Sequence, residues 1–254
     1  MLKRLSFIFF ITLLLTSCVS NKKIIYMNGT YPGDNQSAEY QNTLQPDDKL
    51  LVTVTSDEPE LANDFNLLYV YTRSTQMQGI TSDDTMYSYL IDQEGNIDFP
   101  ILGKIQLAGL TRIEAENKLK ELISKYVKDP GVNLRVINFK VSVLGEVTRP
   151  GIQRVAGERI TIFEALSAAG DLTIYGKREN ITLIREKNGE KNVIDLDITD
   201  PAIVNSEYYY LAHNDVLYIK PNKTRVNSSA VGPNITIAIS ALSLLVTIIA
   251  LSTR

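Results

Sequence analysis

The 254 residues are 44% hydrophobic and 22% charged, with a mean hydropathy of −0.04, which is the balance of a chain that folds rather than one that stays disordered. Lys and Arg number 26 against 29 Asp and Glu, a net charge of −3; it becomes −5, 24 against 29, once Lys3 and Arg4 leave with an N-terminal signal. Nucleic acid is not expected as a partner, because phosphate recognition needs a basic face.

Met1 to Cys18, MLKRLSFIFFITLLLTSC, has a basic start at Lys3 and Arg4, an apolar stretch from Leu5 to Leu15 and small polar residues before a cysteine, the pattern of a secretory signal. Leu15-Thr16-Ser17-Cys18 resembles the bacterial lipobox. That resemblance implies cleavage before Cys18, a diacylglycerol on its thiol and acylation of the new amine. Cys18 is the only cysteine, so it has no disulfide partner within the chain. Acyl chains contribute about 0.8 kcal/mol per buried CH₂, and more than one makes attachment to membrane lipid stable. The alternative is an ordinary signal with an incidental cysteine. The next residue is Val19, not the Asp that resembles an inner-membrane retention signal, which leaves outer-membrane delivery.

Asn28 to Thr43 is rich in Gly, Asn, Ser and Thr with little periodicity, and reads as a tether. Lys49 to Val54 is a predicted strand entered through the turn Pro46-Asp47-Asp48. Asp92 to Asn96 is a polar turn between Tyr89-Leu90-Ile91 and Ile97-Asp98-Phe99, which predicts a hairpin. A helix then opens on the capping box Thr111 and Glu114, carries Ile113, Ala115, Leu119, Leu122, Ile123 and Tyr126 as one apolar stripe, and stops at Asp129-Pro130-Gly131. Alternation returns in Val132, Leu134 and Val136, then in Val141 and Val143. A second capping box, Thr161 and Glu164, begins a helix with Ala165, Leu166 and Ala169 buried and Gly170 at its end. The flanks echo each other, Ile105 to Ala115 against Ile152 to Ala165, as two related strand-turn-helix units. Ile181 to Arg185 and Asn192 to Leu196 flank Glu186 to Gly189, where Asn188-Gly189 favours a tight hairpin turn. Val216 to Ile219 is the closing strand. The fold class is α+β, with small mixed sheets each carrying a helix.

No catalytic residue emerges. A Ser or Cys nucleophile needs a His partner, and the single His213 lies in a turn-like stretch with no nucleophile placed beside it. Zinc fails for want of ligands, and neither a phosphate loop nor a dinucleotide fingerprint occurs, so no metal and no cofactor are expected. Asp57-Glu58 and Asp83-Asp84 are adjacent acids in polar loops, which read as solvated charge rather than as the two carboxylates of a glycosidase. Tyr208-Tyr209-Tyr210 present rings that suit either sugar stacking or sheet packing.

Tyr89 to Val136 resembles the polysaccharide biosynthesis/export domain in its D-x-x-G turn (Asp92, Gly95), its P-x-L-G step (Pro100 to Gly103), its G-L-T helix start (Gly109 to Thr111) and its D-P after the helix (Asp129-Pro130). The opening strand resembles that domain's too, with Pro46-Asp47-Asp48 where the usual turn is P-G-D. Val143 to Pro221 is similar to a soluble-ligand-binding β-grasp domain, its V-x-G-x-V-x-R-P-G being Val143 to Gly151. In this order behind a lipobox, the segments resemble the Wza-type outer-membrane polysaccharide export lipoproteins. The resemblance implies a homo-oligomeric ring in the periplasm, C-terminal helices crossing the outer membrane, an inner-membrane polysaccharide co-polymerase as partner, and capsular polysaccharide or exopolysaccharide as cargo. Expected segments are a signal at 1–17, a lipidated tether at 18–43, the export domain at 44–137, one β-grasp domain at 138–222, a linker at 223–233 and a transmembrane helix at 234–254. Two other classes compete: a membrane-tethered ligand receptor built on the β-grasp domain, and a carbohydrate-active enzyme resting only on unplaced acids.

The tail carries no charge from Asn234 until Arg254. As a helix, Ile235 to Leu251 is roughly 25 Å long, short for an average bilayer and suited to a thinner outer membrane. At 100° per residue Thr236, Ser240, Ser243 and Thr247 fall within about 60° of one another, with Ala250 and Arg254 on the same line. Ile235, Ile237, Leu242, Leu245, Ile248 and Ile249 occupy the remaining circumference. The expectation is a pore-lining hydroxyl stripe; the alternatives are hydroxyls bonded back to their own helix, or simple helix pairing.

Overall fold

In the computed structural model, which describes residues 23–30, 42–67, 88–187, 189–230 and 233–252, strand β1 (Lys49–Thr55) buries Leu50, Val52 and Val54 on one face. It pairs antiparallel with β2 (Tyr89–Leu90) on one side and β5 (Gly131–Val136) on the other. The short helix α1 (Pro59–Asn63) adds Ala62 to the same core, and Phe65 follows it there. Strand β3 (Asn96–Phe99) forms a hairpin with β4 (Gly103–Gln106). This corrects the predicted hairpin: the turn at Asp92 to Asn96 exists, but its two flanks join different ladders. Pro100 to Leu102 is the reversal between β3 and β4, while β2 is captured by β1. Gly95 holds the Asp92 turn at φ +85, and a Cβ there would stand 2.7 Å from that of Ala108, so the glycine is sterically required.

Helix α2 (Arg112–Ile123) starts with both halves of the expected capping box: Thr111 Oγ1 accepts from the Glu114 amide at 3.3 Å, and Glu114 Oε2 accepts from the Thr111 amide at 2.8 Å. Its buried face is narrower than the predicted stripe. Ala115, Leu119 and Ile123 are buried and Leu122 is half-buried, whereas Ile113 and Tyr126 are exposed. The cause is geometric, since the helix covers only a three-stranded sheet, and Tyr126 follows the helix end and lies against Phe65 at 5.9 Å between ring centroids.

The second core is built on β6 (Lys140–Gly145), β7 (Gly151–Arg154), β8 (Ile160–Thr161), α3 (Ile162–Ala168), β9 (Gly176–Lys187), β10 (Glu190–Leu196), β11 (Tyr210–Leu211) and β12 (Val216–Pro221). Its main sheet has the order β10-β9-β12-β6-β7, with β12 parallel to β6 and antiparallel to β9. Among the described ladders this is where parallel pairing occurs; those of the first core are antiparallel, so only the second sheet is mixed. Gly145 ends β6 at φ +92, and a Cβ there would lie 2.1 Å from the Ile219 carbonyl oxygen, which is why the motif demands glycine where β6 meets β12. Thr161 and Glu164 cap α3 as expected, Ala165, Leu166 and Ala169 are buried, and Gly170 follows at φ +76. The β9 and β10 ladder runs out to the pair Lys187 and Glu190; residue 188 of the expected Asn188-Gly189 turn lies outside the described residues. The architecture is α+β.

Part of the expected tether is docked. Tyr26 packs on the second core, Met27 N donates to the Ile198 carbonyl at 3.0 Å, and Asn28 N to the Thr199 carbonyl at 2.7 Å. After β12 come α4 (Lys223–Ala230) and α5 (Pro233–Ser252), so the expected linker is largely helical. Among the described residues no helix is long and apolar enough to cross a membrane. The side chains at 233–236, 238, 246, 249 and 250 of α5 lie outside the described set, so a spanning C-terminal helix rests on the sequence alone.

Candidate functional site

The two cores meet at residues 137–139, and Val136 packs against both. Several polar contacts pin the seam. Asn138 accepts from the Lys49 amide at 2.9 Å and donates to the Asp47 carbonyl at 2.8 Å, and Ile137 N donates to the Lys49 carbonyl at 2.9 Å. Asp48, only 2% exposed, accepts from the Gln45 amide through Oδ2 and is joined through Oδ1 to Nδ1 of His213, 6% exposed. The His213 ring meets Phe139 edge-on at 6.0 Å, and its buried Nε2 has no partner among the described atoms. Asp47, in the place of the usual glycine, takes φ +69, a left-handed conformation that Asp tolerates better than most residues. The departure from P-G-D therefore keeps the turn and leaves Asp48 aimed across the seam.

Beside these contacts lies a cavity of about 760 Å³ whose walls come from both units. Arg112 at the start of α2 binds Glu116 at 2.8 Å. Its Nε lies 2.9 Å from Glu158 of the second unit, close enough for an ion pair although not aligned for a hydrogen bond. Glu116 is itself fixed, since its other oxygen accepts from the Leu134 amide at 2.8 Å. Arg135 on β5 and Arg159 before β8 line the same cavity, with Leu44 and Phe139 as apolar floor.

Tyr208, Tyr209 and Tyr210 are half-buried and serve packing. Tyr209 lies against Phe163 at 6.2 Å and Tyr210 at 5.1 Å, and Arg159 and Arg185 stand over Tyr210 and Tyr208. Arg185 grips Asp215 with two nitrogens, at 3.0 and 2.6 Å, and donates to the Tyr210 carbonyl at 3.0 Å. Burial pushes the Asp215 carboxyl above its ordinary value, although Arg185 pulls the other way. Tyr26 donates to Asp171, lies tilted against Phe163 at 6.1 Å and has Arg178 over its ring at 5.3 Å. Burial first, then that hydrogen bond, pushes its hydroxyl up to about 12.

Of the residues singled out from sequence, Cys18, Asp83-Asp84 and Arg254 lie outside the described residues, as does the Thr236 side chain. Ser240, Ser243 and Thr247 are exposed on α5, and the Thr247 hydroxyl donates to the Ser243 carbonyl at 2.8 Å, one of the back-bonds weighed as an alternative. Asp57 and Glu58 are exposed in the turn before α1. His213 lies in a turn, as its sequence setting suggested, and its side chain is buried at the seam. Among the described residues no cluster of His, Cys, Asp and Glu could hold a metal. Sequence reading missed the Asp48 and His213 pair, the arginine-lined cavity and the docking of Tyr26, because each joins positions far apart in the chain and no local period reports it.

Residues 36–137 match the family described as "Polysaccharide biosynthesis/export protein", and residues 140–195 match the SLBB domain. The EPS I polysaccharide export outer membrane protein EpsA of Ralstonia nicotianae is 33% identical over 147 residues, 54% of this chain and 36% of that protein. The protein of the same name from Ralstonia solanacearum is 27% identical over 192 residues, 73% of this chain and 50% of that protein. The chain thus spans about half or less of these relatives' length. It belongs to the Wza-type polysaccharide biosynthesis/export family, with an export domain followed by an SLBB domain.

Proposed function

We propose that this chain is an outer-membrane lipoprotein, lipidated on Cys18, that assembles into an oligomeric ring passing capsular polysaccharide or exopolysaccharide, with no reaction of its own. Its domains are those expected from the sequence, 44–137 and 138–222, and its partners are other copies of itself, an inner-membrane co-polymerase and the polymer. The relatives' role in polysaccharide export at the outer membrane supports this reading.

The observation that carries it is where the two chain ends leave the second unit. Lys23 pairs with Glu179 at 3.1 Å, and Pro221 lies opposite Gly176 on the same strand β9. Those β9 positions are three residues apart, about 10 Å. Cys18 lies five residues before Lys23, within reach of at most about 18 Å. The segments that lead toward Cys18 and toward the apolar tail therefore leave from one end of one domain, which suits joint attachment to one membrane. The tail supports it further, since Ile237, Ile239, Leu242, Leu244, Leu245, Ile248 and Leu251 are all exposed, an apolar surface that water disfavours.

The mass of the detergent-extracted complex tests this. A ring of many copies is expected, and a monomer would overturn the translocon in favour of a tethered receptor. Cys18→Ser should leave an uncleaved or mislocalised precursor; normal processing with outer-membrane fractionation would remove the lipid anchor from the proposal.

A further inference from the structure

The cavity at the seam carries charge that the seam itself does not use. Of its two carboxylates, Asp48 is engaged by His213 and the Gln45 amide, and Glu158 lies against Arg112. Arg112 in turn is shared with Glu116. Arg135 and Arg159 face the same space from opposite units and form no close ion pair among the described residues, although Arg159 rests 5.1 Å above the Tyr210 ring and acts at longer range on the Glu164 carboxylate. In a chain of net charge −3, two exposed guanidiniums converge on one cavity of about 760 Å³, a volume within the range of ligand sites. The floor between them is apolar, from Leu44 and Phe139. The walls are pinned to each other through Asn138, Asp48 with His213, and Arg112 with Glu158, so binding there would order little of the protein.

The geometry points to this cavity as a binding site for a carboxylate-bearing sugar of the exported polymer. Guanidinium forks match carboxylates in plane and charge, and the aliphatic face of a sugar ring suits the apolar floor. A neutral sugar fills the same volume but leaves both arginines unanswered, so selectivity for acidic sugar follows from Arg135 and Arg159. The inference rests on the export reading, since it names a chemical class for that reading's cargo.

Full-length protein in detergent, titrated calorimetrically with a galacturonic acid oligomer and with a neutral galactose oligomer of equal length, tests it. The acidic oligomer should bind at least tenfold more tightly, and added salt should weaken it. Arg135→Gln and Arg159→Gln should each reduce affinity about tenfold, whereas Arg154→Gln, exposed outside the cavity, should not. Equal binding of the two oligomers, no binding at millimolar concentration, or affinity unchanged in both variants would overturn the site. So would a loss of subunit mass in the variants, which would assign the arginines to contacts between copies. The export reading is judged separately, in cells: if deletion of the gene leaves surface polysaccharide unchanged that reading falls, whereas export lost on deletion with no acidic-sugar binding sinks the site alone.

Discussion

Asp48 and His213 lie 165 residues apart in sequence and form one buried contact, so the seam depends on a pair that neither unit completes by itself. His213→Ala leaves Asp48 buried with the Gln45 amide as its remaining described donor, and the expected loss is about 1–3 kcal/mol, the usual penalty for an orphaned buried polar group. Asp48→Ala also removes the Gln45 contact, but that loss enters the single and double variants equally. A double-mutant cycle by denaturant unfolding therefore isolates the pair, with a coupling of about 0.5–3 kcal/mol expected. Strict additivity would mean the two side chains touch without supporting each other. Tyr26 gives a second test. Its folded value, pushed up to about 12, is above the ordinary 10, so the stability its neutral form contributes is complete below pH 10 and is lost as pH rises toward 12. Protease cleavage near residues 23–30 should increase over that window in the parent protein. In Tyr26→Phe, which keeps the ring against Phe163 but has no proton to lose, the alkaline step should be smaller; an identical step in both would assign it to other groups.

At the scale of elements, the two helix starts were legible in sequence because a capping box is a local device written in four residues, and both boxes form with both hydrogen bonds. Strand partners were less legible. Tyr89-Leu90 and Asn96 to Phe99 flank a good turn, yet pair with β1 and β4, because the P-x-L-G reversal competes for β3 and sheet membership is decided by distant chain. Glycine hallmarks sort the same way: Gly95 and Gly145 are readable as required, but the Ile219 carbonyl that forbids a side chain at Gly145 is not. The caps are expected to be scaffold. Thr161→Ala should lower stability by about 0.5–2 kcal/mol at pH 7 without touching export. The pH dependence follows from Glu164, whose carboxyl is held below its ordinary value first by the Thr161 amide and then by the Thr161 hydroxyl. A depressed carboxyl contributes stability above its unfolded value of 4.5 and loses it as pH falls through the lower folded value, so the penalty of Thr161→Ala should shrink below that pH. Thr111→Ala should behave alike through Glu114. A penalty independent of pH would mean that the Thr161 hydroxyl caps the Glu164 amide without supporting its carboxylate, whose bond to the residue-161 amide survives the substitution.

For the whole molecule, the question is what the apolar tail would do beside the proposed lipid. A lone anchor needs only apolar surface, and α5 offers that around most of its circumference. A ring of such helices needs in addition a wettable stripe, because a pore must present water with something other than leucine. Thr236, Ser240, Ser243 and Thr247 supply one by spacing, and the bond from Thr247 to the Ser243 carbonyl sets the limit on it. A hydroxyl satisfied within its helix is compatible with lipid as well as with water, so that bond leaves the choice to the neighbours. Single cysteines decide it, because Cys18 is the only native thiol and the proposed lipidation would block it. Ser240→Cys and Ser243→Cys should react with a small water-soluble thiol reagent, while Leu242→Cys and Leu245→Cys should not. Helical spacing makes the contrast stringent, because Leu242 adjoins Ser243 in sequence and differs from it by about 100° around the axis. Equal labelling of both pairs, or labelling confined to the leucine positions, would leave α5 as an anchor and put the polymer's path elsewhere.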